Sequence, residues 1–67
     1  MKIETIMSGS WSDALPEEDS HYDYYLILET DDGFIIFDAE SGTWTDPLSG
    51  DWAVDLSYSR WSLVQIK

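Results

Sequence analysis

Carboxylates are the residues on which any chemistry of this chain must rest. Fourteen Asp and Glu stand against three bases, Lys2, Arg60 and Lys67, with one histidine and no cysteine. Nucleophilic catalysis has little to work with: there is no thiol, and Ser20 beside His21 is adjacency, not a dyad. With so many acids some pair always stands at a glycosidase-like separation. Acid–base work also needs surroundings that push two pKa values apart, and a cleft, for which 67 residues leave little room. For metals, thiolate ligation is excluded. The run "DDGFIIFDAE" lacks the D-x-[DN]-x-[DN]-G spacing of a calcium loop, leaving only weak Ca²⁺ or Mg²⁺ association with an acidic surface. The expectation is a non-enzymatic protein with no catalytic residue, no cofactor and no dedicated metal site.

The acids themselves are the remaining constellation. Residues two apart on a strand share a face at about 6.6 Å. Two successive phosphates of a DNA strand rise about 6.8 Å. Glu29 with Asp31, and Asp38 with Glu40, have that spacing if their strands extend so far. Asp32 stands beside them in a turn, and Asp46, Asp51 and Asp55, with Asp23, could add to the row across neighbouring strands. Glu17, Glu18 and Asp19 form a second patch. A net charge of −11 makes nucleic acid and anionic membrane poor partners and steers the chain toward positive surfaces. Bases at positions 2, 60 and 67 give no groove for a phosphate backbone, so direct nucleic-acid binding is not expected. These observations predict pairing of the named acids with Lys and Arg on a basic protein, one that itself binds nucleic acid, in effect by DNA mimicry. The competing expectation is an interaction module that uses exposed Trp and Tyr, its acids serving only solubility.

These acids need a rigid frame, and the apolar pattern predicts one. "KIETIM" (2–7) is a short first strand. In "SGSWSDALPEEDSH", Pro16 followed by Glu17, Glu18 and Asp19 suits one short helical turn. "YDYYLILE" (22–29) alternates, with Tyr22, Tyr24, Leu26 and Leu28 against Asp23, Tyr25, Ile27 and Glu29. "TDDG" supplies a turn with Gly33 at the position able to take positive φ. "FIIFDA" returns, "ESG" turns through Gly42, and "TWTD" is a third short run. "DWAVDLSY" (51–58) alternates Trp52, Val54 and Leu56 against Ala53 and Asp55. "RWSLVQIK" sets Trp61, Leu63 and Gln65 against Ser62, Val64 and Ile66.

Five or six short strands with turn signals between them predict a mainly β fold: a single domain, residues 1–67, as a small antiparallel meander or partly closed barrel. A single sheet needs a second layer, and "WSDALPEEDS" is the available cover unless the sheet closes on itself or the protein dimerises. Four Trp, four Tyr and two Phe supply bulk, with most tryptophans in the core and one or two at an interface rim. No run approaches the ~20 apolar residues of a spanning helix, and "MKIETIMSGS" has no signal-peptide core. A cytoplasmic monomer or homodimer is the expectation.

Residues 11–61 also carry a recurring arrangement: Trp11, then Leu15-Pro16-Glu17-Glu18-Asp19, Tyr25-Leu26-Ile27, Asp32-Gly33, Gly42-Thr43-Trp44, Val54 and Trp61. It resembles a small domain family of unknown function common in phages and prophages. That family continues past its last tryptophan into a proline-containing "MPLP" segment, where this chain has "WSLVQIK". The resemblance implies an antiparallel β fold in a phage setting, hence a host-cell cytoplasm, and brings no catalytic residues. In size and charge the chain is also similar to phage-encoded acidic inhibitors of host defence and repair, of the anti-CRISPR and anti-restriction kinds.

Overall fold

A computed structural model describes residues 2–20, 23–40 and 42–67, with the backbone alone at Glu40. His21 and Tyr22 lie outside the described residues. The chain forms one five-stranded antiparallel sheet: β1 (Ile3–Ser10), β2 (Tyr25–Thr30), β3 (Gly33–Glu40), β4 (Thr43–Thr45) and β5 (Arg60–Ile66). Its spatial order is β1-β5-β2-β3-β4. Only β2, β3 and β4 make a meander. β5 then returns across the molecule and inserts between β1 and β2, so the sheet stays open, with β1 and β4 as its edges. Two 3₁₀ turns, Glu18–Ser20 and Ala53–Asp55, complete the regular structure of the described residues. Among the described residues no helix is long and apolar enough to cross a membrane.

Alternation decides what each strand buries. Leu26 and Leu28 of β2 stand opposite Leu63 and Trp61 of β5 and Phe37 and Ile35 of β3. Leu26, Leu28, Phe37 and Leu63 are fully buried, and Trp44, Trp61 and Ala53 join their cluster. β1 carries a register shift between Thr5 and Met7. Such a bulge moves the following residues to the other face, bringing Met7 and Gly9 opposite Leu63 and Trp61.

The second layer is irregular. Leu15 packs against the core, and the Trp44 indole N–H donates to the Pro16 carbonyl at 2.8 Å, so the "WSDALPEEDS" segment does serve as cover. The other cover comes from residues 51–58, where alternation predicts a strand. The chain makes only a single bridge there, Thr45 to Trp52, followed by the 3₁₀ turn. A 3₁₀ turn has period three, which places Ala53 and Leu56 on the core side and leaves Trp52 and Val54 exposed. The expected pairing of Trp52, Val54 and Leu56 on one face is therefore wrong. β2 begins at Tyr25, with Asp23 and Tyr24 outside it, and Tyr25 has partners on both sides, Asp38 and Val64; Tyr22 of the expected strand lies outside the described residues.

The opposite sheet face is only partly covered: Val64 is buried there, while Ile3, Phe34 and Ile36 stay open. Ile3, Ile27, Phe34, Ile36 and Val64 gather there around a shallow recess of about 420 Å³. Phe34 is 71% exposed and Ile3 60%.

Candidate acidic interface

The hairpin between β2 and β3 carries two adjacent exposed acids at its tip. Thr30 pairs with Gly33, so Asp31 and Asp32 form a two-residue loop, with Gly33 at φ +128°, a conformation that disfavours a β-carbon. The Thr30 hydroxyl accepts from the Asp32 amide (3.3 Å) and donates to the Gly33 carbonyl (3.2 Å). Both aspartates are exposed.

The loops behind this tip are tied to it. The Ser59 amide donates to the Glu29 carbonyl at 2.9 Å, and the Trp11 amide donates to the Ser59 carbonyl at 3.0 Å. Trp11, Asp31, Ser57, Tyr58 and Ser59 then line a recess of about 310 Å³, with Trp11 70% exposed. Asp13 sits at the same end, its carboxylate accepting from the Ser10 amide at 2.9 Å.

The other named acids divide by environment. Glu29 faces Arg60 at 3.6 Å, both side chains well exposed, a pair contributing about 0–1 kcal/mol. Asp38 is half-buried, and its Oδ1 is shielded without a hydrogen-bond partner among the described residues. Asp46 organises the loop after β4: it accepts from the Leu48 amide at 2.9 Å and from the Ser49 hydroxyl at 3.0 Å. Those bonds, the Leu48 amide first, hold its carboxyl below the usual aspartate range, against a smaller opposing effect of desolvation. Asp51 and Asp55 are exposed. Glu17 and Asp19 are exposed, but Glu18 is buried and accepts from the Gly42 amide at 2.6 Å. Glu18 therefore fastens the first 3₁₀ turn to the β3–β4 turn rather than belonging to a surface patch.

The expected single row of carboxylates is not formed. β2 ends at Thr30, so Asp31 does not continue the strand spacing from Glu29. Asp46, Asp51 and Asp55 lie in loop and 3₁₀ turn instead of neighbouring strands. Asp38 and Glu40 do share one strand two residues apart. The tip and the Glu40 end of β3 stand about 23 Å apart along the strand, at ~3.3 Å per residue. The acids thus form separated patches: the hairpin end, the 46–55 segment, and the Glu17–Asp19 side.

Two features escaped the sequence pattern. The Trp11–Tyr58 recess joins residues distant in the chain and has no local signal. The partly covered sheet face did have one: "LIL" and "FIIF" are apolar at every position, whereas a strand with one wet face alternates. Among the described residues no group of three or more His, Asp and Glu stands close enough to hold a metal ion. No family model, no curated protein and no solved structure matches this chain.

Proposed function

We propose that this chain is a small, non-enzymatic acidic inhibitor that binds the basic nucleic-acid-binding surface of a host protein or complex, a DNA mimic of the anti-CRISPR or anti-restriction type. One observation carries the reading: two adjacent acids, Asp31 and Asp32, stand exposed at the tip of a hairpin with almost no cation to neutralise them. Of the three bases, Arg60 is spent on Glu29 and Lys67 on Glu4, at 3.3 Å. A Gly-containing turn needs at most one of Asp31 and Asp32. Preorganised carboxylates can make charge-assisted hydrogen bonds to Lys and Arg without first giving up internal partners. Asp51, Asp55, Glu17 and Asp19 extend the field, while Asp46 and Glu18 shape the loops that present it. The phage resemblance supplies the setting, the cytoplasm of an infected cell.

The test is capture of a partner from bacterial lysate at low salt, eluted by a salt gradient, followed by the double variant Asp31→Lys/Asp32→Lys. Binding should weaken steeply with salt, and the double variant should lose at least ~100-fold in affinity, since like charges set against a basic surface cost several kcal/mol. Affinity that stays flat across the gradient rules the reading out.

The exposure of Trp11 and Trp52 favours a second reading, an interaction module whose anchors are aromatic. There Trp11→Ala abolishes capture, and the charge-reversed hairpin binds nearly as well as the parent.

A further inference from the structure

We propose that the partly covered sheet face is a homodimer interface whose occupant is a second copy of this chain. This inference is independent of the function proposed above.

Composition points first to burial. Ile27 of β2 and Phe34 and Ile36 of β3 surround one recess over the buried Val64 of β5, with Ile3 beside them on β1. Phe34 and Ile36 are among the most exposed large apolar side chains of the sheet. A sheet with apolar residues on both faces is completed only when both are covered. The chain's own loops cover one face, and a domain this small gains stability by association.

Charge then selects the occupant. The molecule carries −11, yet the centre of this face is close to neutral. Glu29 is matched by Arg60, the Glu4–Lys67 pair stands at a corner of the β1–β5 edge, and Asp38 is half-buried near the margin. The acids that set the net charge, Asp31, Asp32, Asp51 and Asp55 among them, sit in turns and loops. A strongly basic partner finds few carboxylates at this centre, whereas a second copy brings an equally apolar, equally neutral one.

The two longest extents of the whole molecule, 27 and 22 Å, enclose at most about 600 Å², so a face-to-face contact falls below the ~800 Å² per partner of a standard interface and in the range of a weak, reversible dimer. A twofold axis through the face makes every contact occur twice.

Sedimentation equilibrium over a range of protein concentrations, at low and high NaCl, tests the inference, with far-UV circular dichroism as the fold control. The expected result is a reversible shift from 7.7 kDa toward twice that mass. Salt should tighten the dimer, because it screens repulsion between two acidic chains, the opposite of its effect on a basic partner. Ile36→Asp, which buries two carboxylates in the symmetric interface, should raise the dissociation constant at least ~100-fold while the spectrum stays folded. Phe34→Asp is the second variant, at a position already open to water in the monomer. Val54→Asp, exposed on the other side of the molecule, should leave the dimer intact, as should Asp31→Lys/Asp32→Lys, which bears only on the function proposed above. A mass of 7.7 kDa at every concentration and salt overturns the proposal. So does a dimer that survives both face variants, or one that Val54→Asp also abolishes.

Discussion

At the scale of single residues, the tightest packing constraint is a glycine beneath a tryptophan. Gly9 pairs across the β1–β5 ladder with Trp61. A β-carbon on Gly9 would lie 2.7 Å from two carbons of the indole and 2.8 Å from its nitrogen. Trp61 is buried in the same apolar cluster as Leu28, its partner on β2, so its ring lies in a packed core. Replacing a glycine by alanine ordinarily stabilises by about 0.4–1 kcal/mol through the unfolded chain. Overpacking a filled core costs about 1–3 kcal/mol, so the clash should win. Gly9→Ala is therefore expected to destabilise, measured as a lower denaturant midpoint at unchanged slope. An unchanged or higher midpoint means that the indole has room the structure does not show. Glycine is informative here because of a close approach; at Gly33 and Gly42 the positive φ is the reason.

At the scale of elements, the Asp46 loop shows how local chemistry fixes a segment that hydrophobic pattern cannot. Asp46 gathers the Leu48 amide and the Ser49 hydroxyl, while its own amide donates to Asp51 and its carbonyl accepts from Gly50. Its carboxyl is held below the ordinary aspartate range. A group whose folded pKa lies below its unfolded value adds stability above the unfolded pKa, and that contribution disappears as pH falls through the folded one. Asp46→Ala should thus melt below the parent at pH 7. The gap should close as the pH is lowered through the carboxylate range, below about pH 4. A gap that persists unchanged in acid shows that the charge of Asp46 is not what holds the loop. The same scale shows what was legible beforehand. The strands of the central hairpin, Gly33 at its turn, and the alternation burying Leu26, Leu28, Trp61 and Leu63 follow from short-range pattern. So does the mainly antiparallel β architecture. The insertion of β5 between β1 and β2 does not, because nothing local encodes which strand a returning segment joins. Residues 51–58 misled because Trp52, Val54 and Leu56 satisfy period two while Ala53 and Leu56 satisfy period three; over so short a run only tertiary contact decides. The acids were legible as an excess of charge but not as positions. Glu18 reads like its neighbours Glu17 and Asp19, and its burial against Gly42 depends on a contact 24 residues away.

At the scale of the whole molecule, the decisive number is the net charge of −11 on a chain with a radius of gyration of 10.9 Å. That dimension is comparable to the ~8–10 Å Debye length near physiological salt, so the loop acids repel one another across much of the protein. Self-repulsion disfavours the compact state, and the core opposing it is a small cluster on one side of a single sheet. Stability should therefore rise with NaCl. Each kcal/mol of relieved repulsion shifts the melting temperature of a domain this size by about 4–8 °C. Self-association would produce a rise of its own by mass action, so the two must be separated by concentration. Melts at a protein concentration too low for dimers report repulsion alone. Melts at high concentration add whatever the sheet face contributes, and Ile36→Asp should remove that added part while keeping the first. If the dilute melting temperature does not move between about 10 mM and 1 M NaCl, where the Debye length falls from about 30 to 3 Å, the folded chain does not feel its own charge. The acids would then lie too far apart, or too well hydrated, to act as one field.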